Sequence, residues 1–123
     1  MRELSVLAAE VLVCDPDLLF SSGIESAAKR HGFAVRFTAN SKTLVESFVE
    51  MRPSLVIVNL DMLENFELLS GLTGKGCRLV GYYSHVDAKT ADAAKKAGFE
   101  TVLPRRVFVG KLNEILTMVK LGG

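Results

Sequence analysis

Acidic, amide, hydroxyl and guanidinium side chains gather at four places in this sequence, each directly after a short apolar run. Asp15 and Asp17 follow Val11-Leu12-Val13-Cys14, and Asn59 and Asp61 follow Leu55-Val56-Ile57-Val58. Tyr83, Ser84 and His85 close the run that begins at Arg78, and Arg105 and Arg106 come just after Thr101–Leu103. Carboxylates grouped in this way can hold a hard cation through oxygen, and one of them can attack a phosphoryl donor. The primary amide of Asn59 carries no charge and forms no stable acyl phosphate. His85 has no second histidine, cysteine or carboxylate at ligand spacing, so it reads as a loop or helix-start residue. Gly71-Leu-Thr-Gly-Lys-Gly76 lacks the GxxxxGK[ST] spacing and precedes a strand, so it reads as a turn.

Elements that could hold these residues together are visible in the hydrophobic periods. Apolar, β-branched runs recur at Ala8–Cys14, Ala34–Thr38, Leu55–Leu60, Arg78–Tyr83 and Thr101–Leu103. Two of them are near-continuous rather than alternating, as strands covered on both faces require. Helical spacing fills the gaps. In Asp17–His31, Leu18, Ile24, Ala27 and Ala28 supply apolar contact, and Gly32 stops the helix. Asn40 or Ser41 caps a second helix to Glu50, which Arg52-Pro53 ends. Asn65–Leu72 is a short third helix, Ala88–Ala97 a fourth and Val107–Leu121 a fifth with Phe108, Leu112, Ile115, Leu116 and Val119 facing the core. The pattern is (βα)5: an α/β domain with a parallel sheet, right-handed crossovers and helices on both faces. In such sheets ligand chemistry belongs at the carboxyl ends of the strands, where the four polar groups stand.

Composition bounds the remaining classes. A chain of 123 residues fits one domain, and its 49% hydrophobic residues suffice for a core. We read residues 8–121 as the domain and 1–7 as an extension before the first strand. A formal net charge of +1, with basic residues scattered, gives no footprint for nucleic acid. No apolar run approaches a membrane span and no export signal is recognisable, so a cytoplasmic location is expected. Cys14 and Cys77 lack CxxC spacing and read as reduced packing residues.

Four segments resemble the receiver domains of bacterial response regulators, the CheY-like family. Val11–Asp17 (VLVCDPD) is similar to the first strand and acidic cluster, and Arg52–Met62 (RPSLVIVNLDM) to the third strand. Leu79–His85 (LVGYYSH) is similar to the fourth strand end, and Ala97–Phe108 (AGFETVLPRRVF) to the fifth strand and the turn after it. The resemblance covers residues 8 to 121 and implies a flavodoxin-like sheet of order 2-1-3-4-5. It also implies that Asn59 stands at the phosphoacceptor aspartate, making the chain a degenerate pseudo-receiver.

Other positions depart from the family pattern too. Asp15 matches one Mg²⁺-holding acid, Pro16 replaces the next, and Asp17 follows, so Mg²⁺ binding is expected to be weak or absent, with no other cofactor. Tyr83 falls at the switch hydroxyl, with Ser84 one residue later on the opposite face. Arg105 replaces the lysine, Arg106 the proline after it, and Val102 the aromatic switch residue. The expected vestigial pocket is Asp15, Asp17, Asn59, Asp61, Tyr83, Ser84 and Arg105. Within it Asp15 and Arg105 are expected to pair, Tyr83 to pack into the emptied space, and Asp61 to face solvent or cap the third helix. No residue is assigned a catalytic role.

The resemblance implies a phosphorylation-independent, non-enzymatic module of a two-component-type system that acts by binding a protein. The partner would be an effector domain, a separate protein or a second copy. The family's usual partner face, built from the fourth helix, fifth strand and fifth helix, would present Lys89, Asp92, Lys96, Val102 and Lys111. Two rivals stay open: a receiver phosphorylated at Asp61 or Asp15, and a small-molecule or anion sensor using the strand-end cleft.

Overall fold

A computed structural model describes residues 10–62, 76–85 and 88–122. Five strands form one parallel sheet: β1 (Glu10–Cys14), β2 (Ala34–Thr38), β3 (Leu55–Asn59), β4 (Arg78–Tyr83) and β5 (Thr101–Pro104). Their order is β2-β1-β3-β4-β5, the flavodoxin-like arrangement expected from the sequence. The described helices are α1 (Leu18–Arg30), α2 (Ser41–Met51), α3 (Ala88–Lys96) and α4 (Arg105–Lys120), with a 3₁₀ turn at Leu60–Met62. The extension at 1–7, the helix read at Asn65–Leu72 and most of the glycine turn after it lie outside the described residues.

Strand alternation splits the core into two layers. Val11, Val13, Leu55, Ile57, Val80 and Tyr82 face α1 and α4, where Ile24, Ala28, Phe108 and Leu116 complete the packing. Leu12, Cys14, Val56, Val58 and Leu79 face the other way, against Leu44 and Phe48 of α2, Ala94 of α3, and Phe99. Burial on both faces explains the unbroken apolar runs in β1 and β3. Position 81 falls on the second face by alternation, and Leu60 fills the space that a side chain there would take. A Cβ there would stand 2.8 Å from the Leu60 Cγ and Cδ1 atoms.

The helix ends follow local chemistry. Asp17 caps α1 by accepting from the Phe20 N–H at 3.1 Å, and Asn40 caps α2 by accepting from Thr43 at 2.9 Å. Arg52 ends α2 in the left-handed region (φ 50°), and Pro53 follows. Helix α4 starts at Arg105, two residues before the expected Val107, and buries Phe108, Leu112, Leu116 and Val119 as its spacing requires. Leu18 departs from expectation. It is 76% exposed, because stepping back six residues from buried Ile24 at about 100° each turns it well off the packed stripe.

Candidate functional site

The pleat decides which side chains meet at the strand ends. Asn59 lies directly opposite Tyr82 in the β3–β4 ladder, and both follow the parity that faces α1 and α4. Asp15 is the first residue past β1 and keeps the same parity as Val11 and Val13. Its N–H donates to the Thr38 carbonyl at 3.0 Å, continuing the β1–β2 ladder by one rung. Asp15, Asn59 and Tyr82 are therefore in a row on one face of the sheet. All three are buried, with Tyr82 fully so.

They form a closed polar knot. Asp15 Oδ1 accepts from Asn59 Nδ2 at 3.2 Å and from the Asp17 N–H at 2.9 Å. Asp15 Oδ2 accepts from the Tyr82 hydroxyl. The Asn59 carbonyl oxygen accepts from the Asp61 N–H at 3.0 Å, so the amide bridges the acidic residue to the turn after β3. Asn59 thus uses both ends of its amide. A carboxylate there would lose the donor that faces Asp15 and set two anions side by side.

Tyr82 completes an aromatic wall. Its ring stacks on Phe108 at 4.7 Å between centroids and meets Phe20 at 5.0 Å with a 53° tilt. The Arg105 guanidinium carbon lies 4.3 Å from the Phe20 centroid and 5.6 Å from that of Tyr82. Burial, then the Asp15 hydrogen bond and charge, push the Tyr82 phenol well above its usual range, against a smaller opposing effect of Arg105. The phenol is held as a donor. Burial also raises both thiols, Cys77 to about 11 with help from Glu100, so neither has the low pKa of a nucleophilic thiolate.

Several expected placements change. The tyrosine that enters the knot is Tyr82; Tyr83 turns to the second face, half-buried. Adjacent strand residues point to opposite faces, so a shift of one residue exchanges which ring enters the knot. Arg105 does not pair with Asp15, whose oxygens are occupied. Its Nη1 instead stands 3.8 Å from Asp17 Oδ2. Asp61 is half-buried, and the third helix it was expected to cap lies outside the described residues. Its two carboxylate oxygens accept the backbone N–H groups of Ser84 and His85 at 2.8 and 3.0 Å, clamping the segment after β4 to the turn after β3. Ser84 is held through its backbone and is exposed. Lys89, Asp92 and Lys96 on α3 and Lys111 on α4 are exposed, and Val102 is half-buried between these helices on β5. The signal missed in the sequence was parity: Tyr82, not Tyr83, shares that of Asn59 across the ladder.

Receiver-like folds imply Mg²⁺ at such strand ends, and the donor set here does not fit it. Mg²⁺ needs several oxygens in a near-octahedral shell with negative charge nearby. Asp15 already accepts from three protein donors, one Asp17 oxygen caps α1 while the other faces Arg105, and the Asn59 oxygen accepts from Asp61. Among the described residues no three His, Cys, Asp or Glu side chains are grouped to hold a metal.

No protein-family model and no curated protein matches the sequence. Solved structures do match it in shape. A CheY-like receiver domain protein from Methanospirillum hungatei superposes with a TM-score of 0.76 at 15% identity, covering 94% of this chain and 98% of its own. A receiver domain protein from Clostridium thermocellum gives 0.77 at 20% identity, over 92% and 94% of the two chains. A DNA-binding response regulator of the LuxR family from Staphylococcus aureus gives 0.76 at 14% identity, over 91% and 98%. The chain has the receiver fold. At these identities the likeness concerns the fold, and the receiver fold is here built around a strand-end knot made by this chain's own residues. No described helix is long and apolar enough to cross a membrane.

Proposed function

We propose that this chain is a receiver-fold signalling module that works without aspartyl phosphorylation and acts by binding another protein. The observation that carries the reading is the knot: Asp15 is shared among the Tyr82 hydroxyl, the Asn59 amide and the Asp17 N–H. A phospho-switch needs a free carboxylate nucleophile, a cation beside it and a mobile hydroxyl. Here the nucleophile's place is held by an amide, the cation's place by hydrogen-bond donors, and a buried phenol spans the gap. Asp61, the other aspartate that could accept phosphate, is spent on two backbone N–H groups, which lowers its nucleophilicity. The knot therefore acts as a permanent latch, and Mg²⁺ binds weakly or not at all.

With the switch latched, signalling passes through a surface. The face made by α3, β5 and α4 presents Lys89, Asp92, Lys96 and Lys111 around Val102, a mixed-charge rim beside apolar contact area suited to an effector domain or a second copy. The module has no catalytic residue of its own and works in the cytoplasm, where Cys14 and Cys77 remain thiols. The test is incubation with Mg²⁺ and acetyl phosphate followed by intact mass. An unchanged mass is expected. A stoichiometric, base-labile phosphate adduct on Asp15 or Asp61 would overturn the reading.

A further inference from the structure

Beside the knot, the carboxyl ends of β4 and β5 and the first turns of α4 enclose an open cleft of about 730 Å³. That volume is within the range of about 300–1,000 Å³ typical of small-molecule sites. Phe20, Tyr83, Val107 and Val109 give it apolar walls, and Arg105 and Arg106 stand in its lining. Among the described residues none that lines it is acidic.

The two arginines have capacity to spare. Arg105 Nη1 stays 3.8 Å from Asp17, beyond hydrogen-bond reach, and Nε is buried with no partner among the described residues. A half-exposed ion pair of that length is weak. Arg106 is exposed and has no ion-pair partner among the described residues. Ser84 adds a hydroxyl to the lining, and the α4 start at Pro104 lacks a side-chain cap. A buried guanidinium nitrogen with no acceptor is uncommon in a finished interior. Apolar walls beside two planar cations select one kind of occupant.

We infer that this cleft binds a small amphiphilic anion: a flat, apolar ring body lying against Phe20, Tyr83 and Val107, with one acidic group between Arg105 and Arg106. The ring occupies the apolar wall, and the acidic group supplies the acceptor that Asp17 supplies poorly. Binding ties the segment after β4 to the start of α4, and through α4 reaches the proposed partner face. The inference does not depend on whether any aspartate accepts phosphate, so the two are tested separately.

The full chain is titrated with anilinonaphthalene sulfonate, an aromatic anion, and with N-phenylnaphthylamine, its uncharged counterpart, while ¹H–¹⁵N amide spectra are recorded. The expected result is saturable one-site binding of the sulfonate, at least about tenfold tighter than the neutral probe. Amide shifts should centre on Ser84, Val107 and Val109. Arg106→Gln should weaken the sulfonate about tenfold, and Arg105→Gln with Arg106→Gln further, while Lys120→Gln at the far end of α4 changes nothing. If the double variant fails to fold, Arg106→Gln alone decides. Equal affinity for both probes, wild-type affinity in the arginine variants, shifts centred elsewhere, or no saturable binding overturns the inference.

Discussion

The Tyr82 hydroxyl donates to the Asp15 carboxylate across the end of β3, so β4 and β1, which are not neighbours in the sheet, share a hydrogen bond. Asn59 sits between them and contributes a second bond to the same carboxyl group.

Removing that hydroxyl leaves a buried oxygen of Asp15 short of a donor. Tyr82→Phe is expected to lower unfolding free energy by about 1–3 kcal/mol, the usual cost of orphaning a buried polar group. Tyr83→Phe should stay within about 0.5 kcal/mol, since its hydroxyl is outside the knot. Urea denaturation of the two variants measures the difference. Equal losses would show that the hydroxyl at residue 82 stabilises nothing.

Alkaline pH tests the same group through its proton. Because the folded-state pKa of Tyr82 is raised above the unfolded value, stability from keeping it neutral is fully present below the ordinary phenol range, about 10. It is lost as pH rises beyond that range. The Cys77 thiol, pushed up to about 11, adds loss of the same sign starting near 9. Phenolate absorbance followed against pH should show one tyrosine that ionises only as the protein unfolds. That late amplitude should be missing from Tyr82→Phe.

Replacing Asn59 by aspartate tests whether the lost chemistry sits in one residue. Asn59→Asp removes the donor to Asp15 and sets a second carboxylate against it, and should cost about 1–3 kcal/mol at neutral pH. It should not take up phosphate from acetyl phosphate with Mg²⁺, because Tyr82 still holds Asp15 and no further carboxylate is added. Rapid, stoichiometric phosphorylation of the variant would mean that the rest of the machinery is intact.

On the opposite face, Gly81 and Leu60 form a packed pair with no room between them. Gly81→Ala should destabilise by about 1–3 kcal/mol through overpacking. In a Leu60→Ala background the same substitution should cost much less, a coupling that a double-mutant cycle reads directly.

Much of this was legible in the sequence because it depends on local rules. Near-continuous apolar runs in β1 and β3 announce burial on both faces, and Asn40 and Pro53 mark the ends of α2 by hydrogen bonding and backbone geometry. The absent carboxylate at residue 59 and the acid at 15 are equally plain. What could not be read depends on register and on partners far along the chain. Tyr82 and Tyr83 are chemically identical, and only the pairing of Asn59 with Tyr82 says which ring enters the knot. Asp61 has no local mark of its role, since the amides that it holds are 23 and 24 residues away. Leu18 looked like a core residue by type, but lies off the stripe by angle.

The span of the knot also bears on how the molecule folds. Its bonds join residues 44 and 67 positions apart, so they close only after β1, β3 and β4 are in register. Contacts that form on the native side of the folding barrier govern how long the native state lasts rather than how fast it is reached. Loosening the knot should shorten the lifetime of the folded chain while leaving its refolding rate almost untouched. Asp15 in this view is a clasp that keeps the finished sheet shut.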